Sequence, residues 1–216
     1  MIIDRYILDH HPGFKLQTLV HVGAHAAQEM AAYEALSPDT VIWVDAVDDH
    51  LKAFRKQRRA LPPYRRKHHR YLVALIAAED DADAAFHQYT NRGASSSLFR
   101  STRALRQTWP TVRETGETTT LKTVTLDSLL ARHGVAKTSV NGLVVDAQGS
   151  ELLCLQGASA VLPHVRFLEV EVSKEAIYEG GVVFDDLNAW LTERGFARRS
   201  DVPWHGDVIY ENLALG

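Results

Sequence analysis

The chain has 216 residues, of which 45% are hydrophobic, and carries a formal net charge of −3. This length and hydrophobic content predict one α/β domain with a full core, and together with the charge they exclude wholesale disorder and a chain-wide nucleic-acid-binding surface. The single cysteine, Cys154, excludes an internal disulfide and a cysteine-type zinc site.

The first part of the chain alternates short apolar runs with helical patterns. The predicted strands are residues 18–22, 41–44 and 71–76, and the predicted helices are residues 26–36 and a segment from a cap at Asp48 to about residue 59. This alternation is typical of a parallel sheet that helices cover on both faces. Because Pro62-Pro63 interrupts the basic stretch 52–70, we interpret that stretch as a solvated helix face rather than a patch for an anionic partner.

Residues 79–125 are the least regular part of the sequence, and we expect them to form an irregular insert that covers the cleft. The predicted elements of this insert are a hairpin strand at 81–89, a polar loop at 91–97, a short helix at 98–108 and an exposed, threonine-rich strand at 118–124.

The rest of the chain returns to the α/β pattern. The predicted helices are 126–133, closed by Gly134, 151–162, stopped by Pro163, and 184–194, closed by Gly195. The predicted strands are 143–145, 165–172 and a final antiparallel pair at 196–199 and 207–213. Since no internal repeat or linker is visible, we expect a single domain over residues 1–216.

A glycine turn and an acidic residue follow the first two predicted strands. Gly23 comes directly after the first strand, where a residue without a side chain lets the backbone approach a ligand closely. Asp45 ends the second strand, about 20 residues beyond the turn, where a carboxylate can accept hydrogen bonds from a ribose diol. This order is typical of a nucleotide-type cofactor site, although the sequence has no GxGxxG motif.

Two further acidic residues are candidates for chemistry at the same edge of the sheet. Asp146 follows a predicted buried strand and precedes Gln148, and its alternative role is a helix N-cap. Glu169 and Glu171 alternate along the next strand, and Glu171 lies nearer to the cleft; a structural salt bridge is the alternative. The histidines show no metal-ligand spacing, and the serines at 95–97 lack a nucleophile elbow, so we predict neither a metal site nor a triad.

The motifs, in their order and spacing, resemble those of the FkbM-type S-adenosylmethionine-dependent methyltransferases over about residues 18–210. The segments that carry the resemblance are HVGAHAAQE (21–29), VIWVDA (41–46), GASSSL (93–98), TVTLDSLL (123–130), LVVDAQGSELLCLQGA (143–158), FLEVEVSKEAIYEGG (167–181) and WHGDVIY (204–210). The resemblance implies a Rossmann-like class I methyltransferase fold: a mostly parallel central sheet, helices on both faces and a C-terminal antiparallel strand pair.

The resemblance also implies which residues bind S-adenosyl-L-methionine. The expected cofactor-binding residues are Gly23, Ala24, His25, Gln28, Asp45, Ala46, Ala74, Leu75, Asp146 and Gln148. Backbone amides of Gly23 and Ala24 would meet the methionine part, Asp45 would hold the ribose hydroxyls, and residues 73–76 would lie near the adenine. The sequence departs from the pattern at His21, His25 and Ala27, and it has Asp45 where this family more often has Glu.

The activity implied by the resemblance is O-methylation of a hydroxyl on a small molecule, sugar or glycolipid-type acceptor. A hydroxyl acceptor would benefit from a general base, for which Asp146 and Glu171 are the first candidates and Asp207 the third. A non-catalytic binding module or partner subunit with the cofactor fold remains the main alternative. A nicotinamide-dependent oxidoreductase is a third alternative, but the sequence lacks the glycine motif that such enzymes use to bind the dinucleotide.

We expect a small-molecule or carbohydrate acceptor as the partner, no nucleic acid and no membrane span, and homo-oligomerisation stays open. No apolar run approaches the ~20 residues that cross a bilayer. The N-terminal residues lack the basic start and apolar core of a signal peptide, so we expect a cytoplasmic protein.

Overall fold

The computed structural model describes residues 2–215, which form helices and strands in an alternating order. The strands are β1 (Thr18–Val22), β2 (Thr40–Asp45), β3 (His69–Val73), β4 (Leu75–Ile76), β5 (Asp83–Tyr89), β6 (Glu114–Val124), β7 (Val140–Val145), β8 (Phe167–Ser173), β9 (Phe196–Arg198) and β10 (His205–Asn212). The α-helices are α1 (Ile3–His10), α2 (Met30–Ala35), α3 (Leu51–Ala60), α4 (Pro63–Arg66), α5 (Arg103–Thr108), α6 (Leu126–Arg132), α7 (Glu151–Gln156) and α8 (Phe184–Thr192).

A seven-stranded sheet in the order β3-β2-β1-β7-β8-β10-β9 forms the centre of the fold. The neighbours from β3 to β8 pair in parallel, whereas β10 is antiparallel to both β8 and β9. The predicted mostly parallel sheet with a C-terminal antiparallel pair is therefore confirmed. A second, three-stranded sheet has the order β4-β6-β5.

Helices cover both faces of the central sheet because its middle strands are apolar at consecutive positions. Val20 and Leu143 pack in one core with residues of α6, α7 and α8, whereas Leu19 and Val144 pack in a second core with residues of α1, α2 and α3. All five residues of β1 are buried. Among the described residues, no helix is both long and apolar enough to cross a membrane.

Several predicted boundaries at the cleft edge of the sheet are wrong. The helix predicted at 26–36 begins only at Met30, because His25 and Ala27 have φ values of +43° and +53°, which a right-handed helix cannot contain. The next helix begins at Leu51 without a side-chain cap from Asp48, whose backbone carbonyl instead accepts the Leu51 amide. Helix α4, within the basic stretch, was not predicted.

The strand predicted at 71–76 is two strands in different sheets. It breaks at Ala74, whose amide donates to the carbonyl of Asp45 at 2.7 Å, and β4 then pairs with β6. The helix predicted at 151–162 ends at Gln156, because the Gly157 carbonyl accepts the amide of Asp127. Pro163 lies in a separate 3-10 turn, Leu162–His164.

The insert 79–125 contains β5, α5 and β6. β5 and β6 pair antiparallel, as the predicted hairpin requires, but the helix predicted at 98–108 begins only at Arg103. The insert packs on the segment after β8 through an apolar cluster of Tyr89, Leu105, Ile177 and Tyr178. This contact fixes the insert at the cleft side of the central sheet.

Candidate functional site

A cavity, called here the central cavity, lies beyond the carboxyl ends of β1, β2 and β7. It is open to solvent, and the empty space between its walls, including the part continuous with solvent, is about 560 Å³. Most of the predicted cofactor-binding residues line it: Gly23, His25, Asp45, Ala46, Ala74, Leu75, Asp146 and Gln148. Ala24 is buried behind this wall and Gln28 is exposed, and neither lines the cavity.

Gly23 is required by a close contact between two strand ends. Its φ is +81°, and a Cβ atom at this position would lie 1.7 Å from the backbone oxygen of Asp146. The amides of Gly23 and Ala24 both donate to the carbonyl of Val44 at 2.9 Å. Both amides are thus hydrogen-bonded to the end of β2 in this structure, and their contact with the methionine part of the cofactor stays a prediction.

Asp45 organises the loop on the opposite side of the central cavity. Its Oδ2 accepts the amide of His25 at 2.7 Å and its Oδ1 accepts the amide of Val47 at 3.3 Å. An ionised carboxylate can accept about four hydrogen bonds, so acceptor capacity remains for a ligand. Burial raises the pKa of Asp45, and the two amides act in the opposite direction.

The ring of His25 adds an unsatisfied polar atom to this wall. Its Nε2 lies 3.2 Å from the carbonyl oxygen of Arg92, and its ring is 3.7 Å from that of His50. Nδ1 of His25 is buried and has no hydrogen-bond partner among the described residues. Because a buried polar atom without a partner is costly, this atom indicates that a ligand completes the site.

The third wall of the cavity is apolar and combines the predicted residues 74–76 with Phe86, which the sequence analysis did not single out. Ala74, Leu75 and Ile76 line it where β3 gives way to β4, and Phe86 of the insert lies with them. Gly93, Ala94 and Ser96 of the insert also line the cavity. The insert thus contributes to the wall, and its role as a cover stays a prediction.

Two carboxyl groups meet beside the cavity through one side-chain amide. Gln148 Nε2 donates to Asp146 Oδ1 at 2.6 Å and to Glu171 Oε2 at 2.8 Å. Burial and the nearby Glu171 raise the pKa of Asp146 well above its ordinary value. Burial, followed by the charge of Glu151, raises the pKa of Glu171 to about 8. The site therefore holds protons that isolated carboxyl groups would have lost.

The contacts remove the alternative role of Asp146 but not that of Glu171, whose Oε1 lies 3.2 Å from His205 Nε2. Asp146 is not the cap of α7, since Ser150 occupies the N-cap position and makes no side-chain capping bond. Glu169 does have the structural role, because its Oε2 accepts the amides of Ile2 and Ile3 at the start of α1. Asp207 faces Glu171 in the β8–β10 register and does not line the central cavity. Its charge raises the pKa of Asp146 and of Glu171.

The network continues into three residues that the sequence interpretation missed. His205 Nε2 lies 3.2 Å from Glu171 Oε1, and its Nδ1 lies 2.6 Å from Ser173 Oγ. The hydroxyl of Tyr178 donates to Gln148 Oε1 at 2.7 Å. Burial lowers the pKa of His205, so its imidazole is neutral at pH 7. His205 and Tyr178 both fall in quoted motifs, WHGDVIY and FLEVEVSKEAIYEGG, but nothing in one sequence reveals their partners.

Comparisons with known proteins agree with this geometry. The model of the methyltransferase FkbM domain matches residues 21–197. The structure of a methyltransferase FkbM from Methylobacillus flagellatus aligns with a TM-score of 0.58 and 13% identity over 95% of this chain, which spans only 46% of that protein. No curated protein matches the chain.

Two other solved structures share the fold. A proposed tRNA (m1A22) methyltransferase from Streptococcus pneumoniae, in complex with S-adenosyl-L-methionine, aligns with a TM-score of 0.50 and 15% identity over 98% of this chain and 73% of its own. A precorrin-6y C5,15-methyltransferase from Geobacter metallireducens aligns with a TM-score of 0.50 and 8% identity over 96% and 86%. These likenesses confirm the predicted Rossmann-like class I methyltransferase fold. Because the family model covers most of the sequence, the chain belongs to the FkbM methyltransferase family.

Proposed function

We propose that this chain transfers the methyl group of S-adenosylmethionine to a hydroxyl oxygen of a small-molecule or carbohydrate acceptor. The observation that supports this most strongly is the linked group of Asp146, Gln148, Glu171 and His205, which reaches from the central cavity to a second pocket beside it. Such a group can accept the proton that a hydroxyl must lose during methylation.

The residues of the central cavity fit the cofactor. Asp45 has remaining acceptor capacity for the ribose hydroxyls, and the unpartnered Nδ1 of His25 can bind a polar ligand atom. The apolar wall at Ala74 and Leu75 suits the adenine. Asp146 lines the central cavity, where its carboxyl group can hydrogen-bond to a polar part of the cofactor. When bound, S-adenosylmethionine supplies a methyl group that is already activated, because the carbon–sulfur electron pair stays on sulfur as the methyl leaves.

Glu171 and His205 are the residues proposed to take the acceptor proton. Glu171 does not line the central cavity. It contacts His205, which lines the neighbouring pocket. Burial raises the pKa of both carboxyl groups, and Gln148 Nε2 holds the two together. We assign proton acceptance to Glu171 because it contacts His205, whereas Asp146 lines the central cavity. The acceptor proton would arrive at Nδ1 of His205 in place of its contact with Ser173 Oγ, and Nε2 would give its own proton to the Glu171 carboxylate, while Asp146 orients Gln148.

The direct test is methyl transfer with purified protein. The protein is incubated with S-adenosylmethionine and a panel of alcohols, phenols and sugars, and S-adenosylhomocysteine and the methylated product are measured by mass spectrometry. We expect equal amounts of both products, with the methyl group on oxygen. Methylation at nitrogen would contradict the acceptor assignment. Failure to bind S-adenosylhomocysteine in calorimetry would instead favour the non-catalytic alternative. Binding of NAD would favour a nicotinamide-dependent oxidoreductase.

Asp45→Ala is expected to weaken S-adenosylhomocysteine binding roughly tenfold to hundredfold. The variant removes charge-assisted hydrogen bonds, which contribute about 1.5–3 kcal/mol each, and it also releases the amide of His25. Calorimetry measures the dissociation constant. Asp48→Ala is the matched control, because Asp48 is an exposed acid close by in sequence that does not line the central cavity. Equal affinities of Asp45→Ala and the native protein would refute the ribose assignment.

The rate is expected to rise with pH until Glu171 has lost its proton. Burial raises the pKa of this group to about 8, and only the deprotonated carboxylate can act as a base. The value of kcat/KM should therefore fall on the acid side of about pH 8, and this limb should disappear in Glu171→Gln. A profile that is flat from pH 6 to pH 9 would show that no group with a raised pKa takes part.

A further inference from the structure

We propose that the pocket beside the central cavity, called here the side pocket, binds the acceptor and that it selects an uncharged sugar ring. This assignment depends on the proposed methyl transfer. Gln148 lines both the side pocket and the central cavity, and His205 lines the side pocket. A molecule in the side pocket therefore lies beside the network that would receive its proton, and the two pockets share Gln148 as a lining residue.

Aromatic rings form one side of the side pocket and its surroundings. Trp109 lines it, and its ring lies 5.0 Å from the ring of His205 and 6.0 Å from the ring of Trp204. Trp204 is 38% exposed although large aromatic rings usually bury more of their surface. A pyranose ring presents a face of C–H bonds, which packs well on an indole ring, and a rim of hydroxyl groups.

Hydroxyl groups need partners that both donate and accept, and the side pocket provides both. Ser95 Oγ accepts a bond from Asn91 Nδ2 at 2.8 Å, which leaves the Ser95 hydroxyl proton available to a ligand oxygen. The Tyr178 hydroxyl donates to Gln148 Oε1 at 2.7 Å and retains acceptor capacity for a ligand hydroxyl. A flat phenol would use the apolar side of this pocket and leave most of these polar groups without ligand contacts.

The electrostatics of the side pocket favour an uncharged acceptor. Among the described residues that line it, only His205 and Tyr178 can ionise. Burial lowers the pKa of His205 and raises that of Tyr178, so both side chains are neutral at pH 7. Glu171 pairs with His205 immediately behind the pocket wall. With no cation in the lining, nothing would compensate the loss of water around the charge of a phosphorylated or carboxylated sugar.

Calorimetry with a panel of hexyl pyranosides, in the presence of S-adenosylhomocysteine, tests this assignment. We expect at least one uncharged glycoside to bind, Trp109→Ala to weaken that binding by about tenfold or more, as truncation of an aromatic hot-spot residue does, and Ser95→Ala to weaken it less. Trp190→Ala is the matched control, because Trp190 packs on Arg194 away from the pocket. Retention of S-adenosylhomocysteine binding shows that each variant is folded.

The outcomes separate the pocket assignment from the proposed function. If S-adenosylhomocysteine binds but no glycoside does, the assignment of the side pocket is overturned while the cofactor site stands. If hexyl phosphate, glucose 6-phosphate or a phenol binds more tightly than every uncharged glycoside, the preference for an uncharged sugar is overturned. If S-adenosylhomocysteine does not bind, the methyltransferase proposal itself fails.

Discussion

Gly23→Val is expected to abolish S-adenosylhomocysteine binding and to lower the melting temperature by on the order of 10 °C. A Cβ atom at this position would lie 1.7 Å from the backbone oxygen of Asp146, and the φ of +81° is unfavourable for any residue with a side chain. Overpacking and left-handed strain together cost about 2–5 kcal/mol, and 1 kcal/mol corresponds to roughly 2–4 °C for a domain of this size. Relief of the clash requires β1 and β7 to separate where both form the cavity.

Gly13→Val is the control that separates the contact from the backbone conformation. Gly13 also has a positive φ, +93°, but a Cβ atom there would meet nothing within 4 Å. Gly13→Val should therefore lower the melting temperature less than Gly23→Val does, and it should retain cofactor binding. Calorimetry and thermal unfolding of both variants give the answer. A folded Gly23→Val protein that binds normally would place the cofactor elsewhere.

The sequence predicted the cofactor side of the site because that side is encoded locally. A strand, a glycine turn, a second strand and an acid follow one another within about 30 residues. Parallel strands bring their carboxyl ends to the same edge of the sheet. Gly23, Asp45 and Asp146 consequently line one cavity, as expected. The start of α2 was predicted incorrectly because His25 and Ala27 adopt positive φ values, which cannot be inferred from these residue types.

The side pocket, proposed to bind the acceptor, could not be predicted from the sequence, because its residues come from distant segments. Gln148 contacts Tyr178 across 30 positions, and His205 reaches Glu171 only through the antiparallel pairing of β10 with β8. Trp109 belongs to the insert, whose helix boundaries were also predicted incorrectly. A single sequence gives residue types and local periodicity, whereas these contacts depend on strand order and on where the insert packs.

Glu171→Gln is expected to reduce kcat by about 10²–10⁴, the usual contribution of a general base, and to leave S-adenosylhomocysteine affinity nearly unchanged. Glutamine keeps the size of the side chain and an oxygen that can accept from Gln148 Nε2, but it cannot take up a proton. Single-turnover measurements isolate the chemical step. Glu169→Gln is the matched control: it changes a buried acid on the same strand that binds the start of α1, so it should alter stability rather than kcat.

Asp146→Asn decides between the two carboxyl groups of the network. We expect it to lower kcat less than Glu171→Gln does, because asparagine retains an oxygen that can accept from Gln148 and because Glu171 is the carboxyl group that contacts His205. The reverse order would make Asp146 the base. His205→Gln should resemble Glu171→Gln, since each interrupts the same path for the proton. If all three variants turn over at the native rate, alignment of the acceptor alone accounts for catalysis, and the linked carboxyl groups serve only to hold Gln148 between the central cavity and the side pocket.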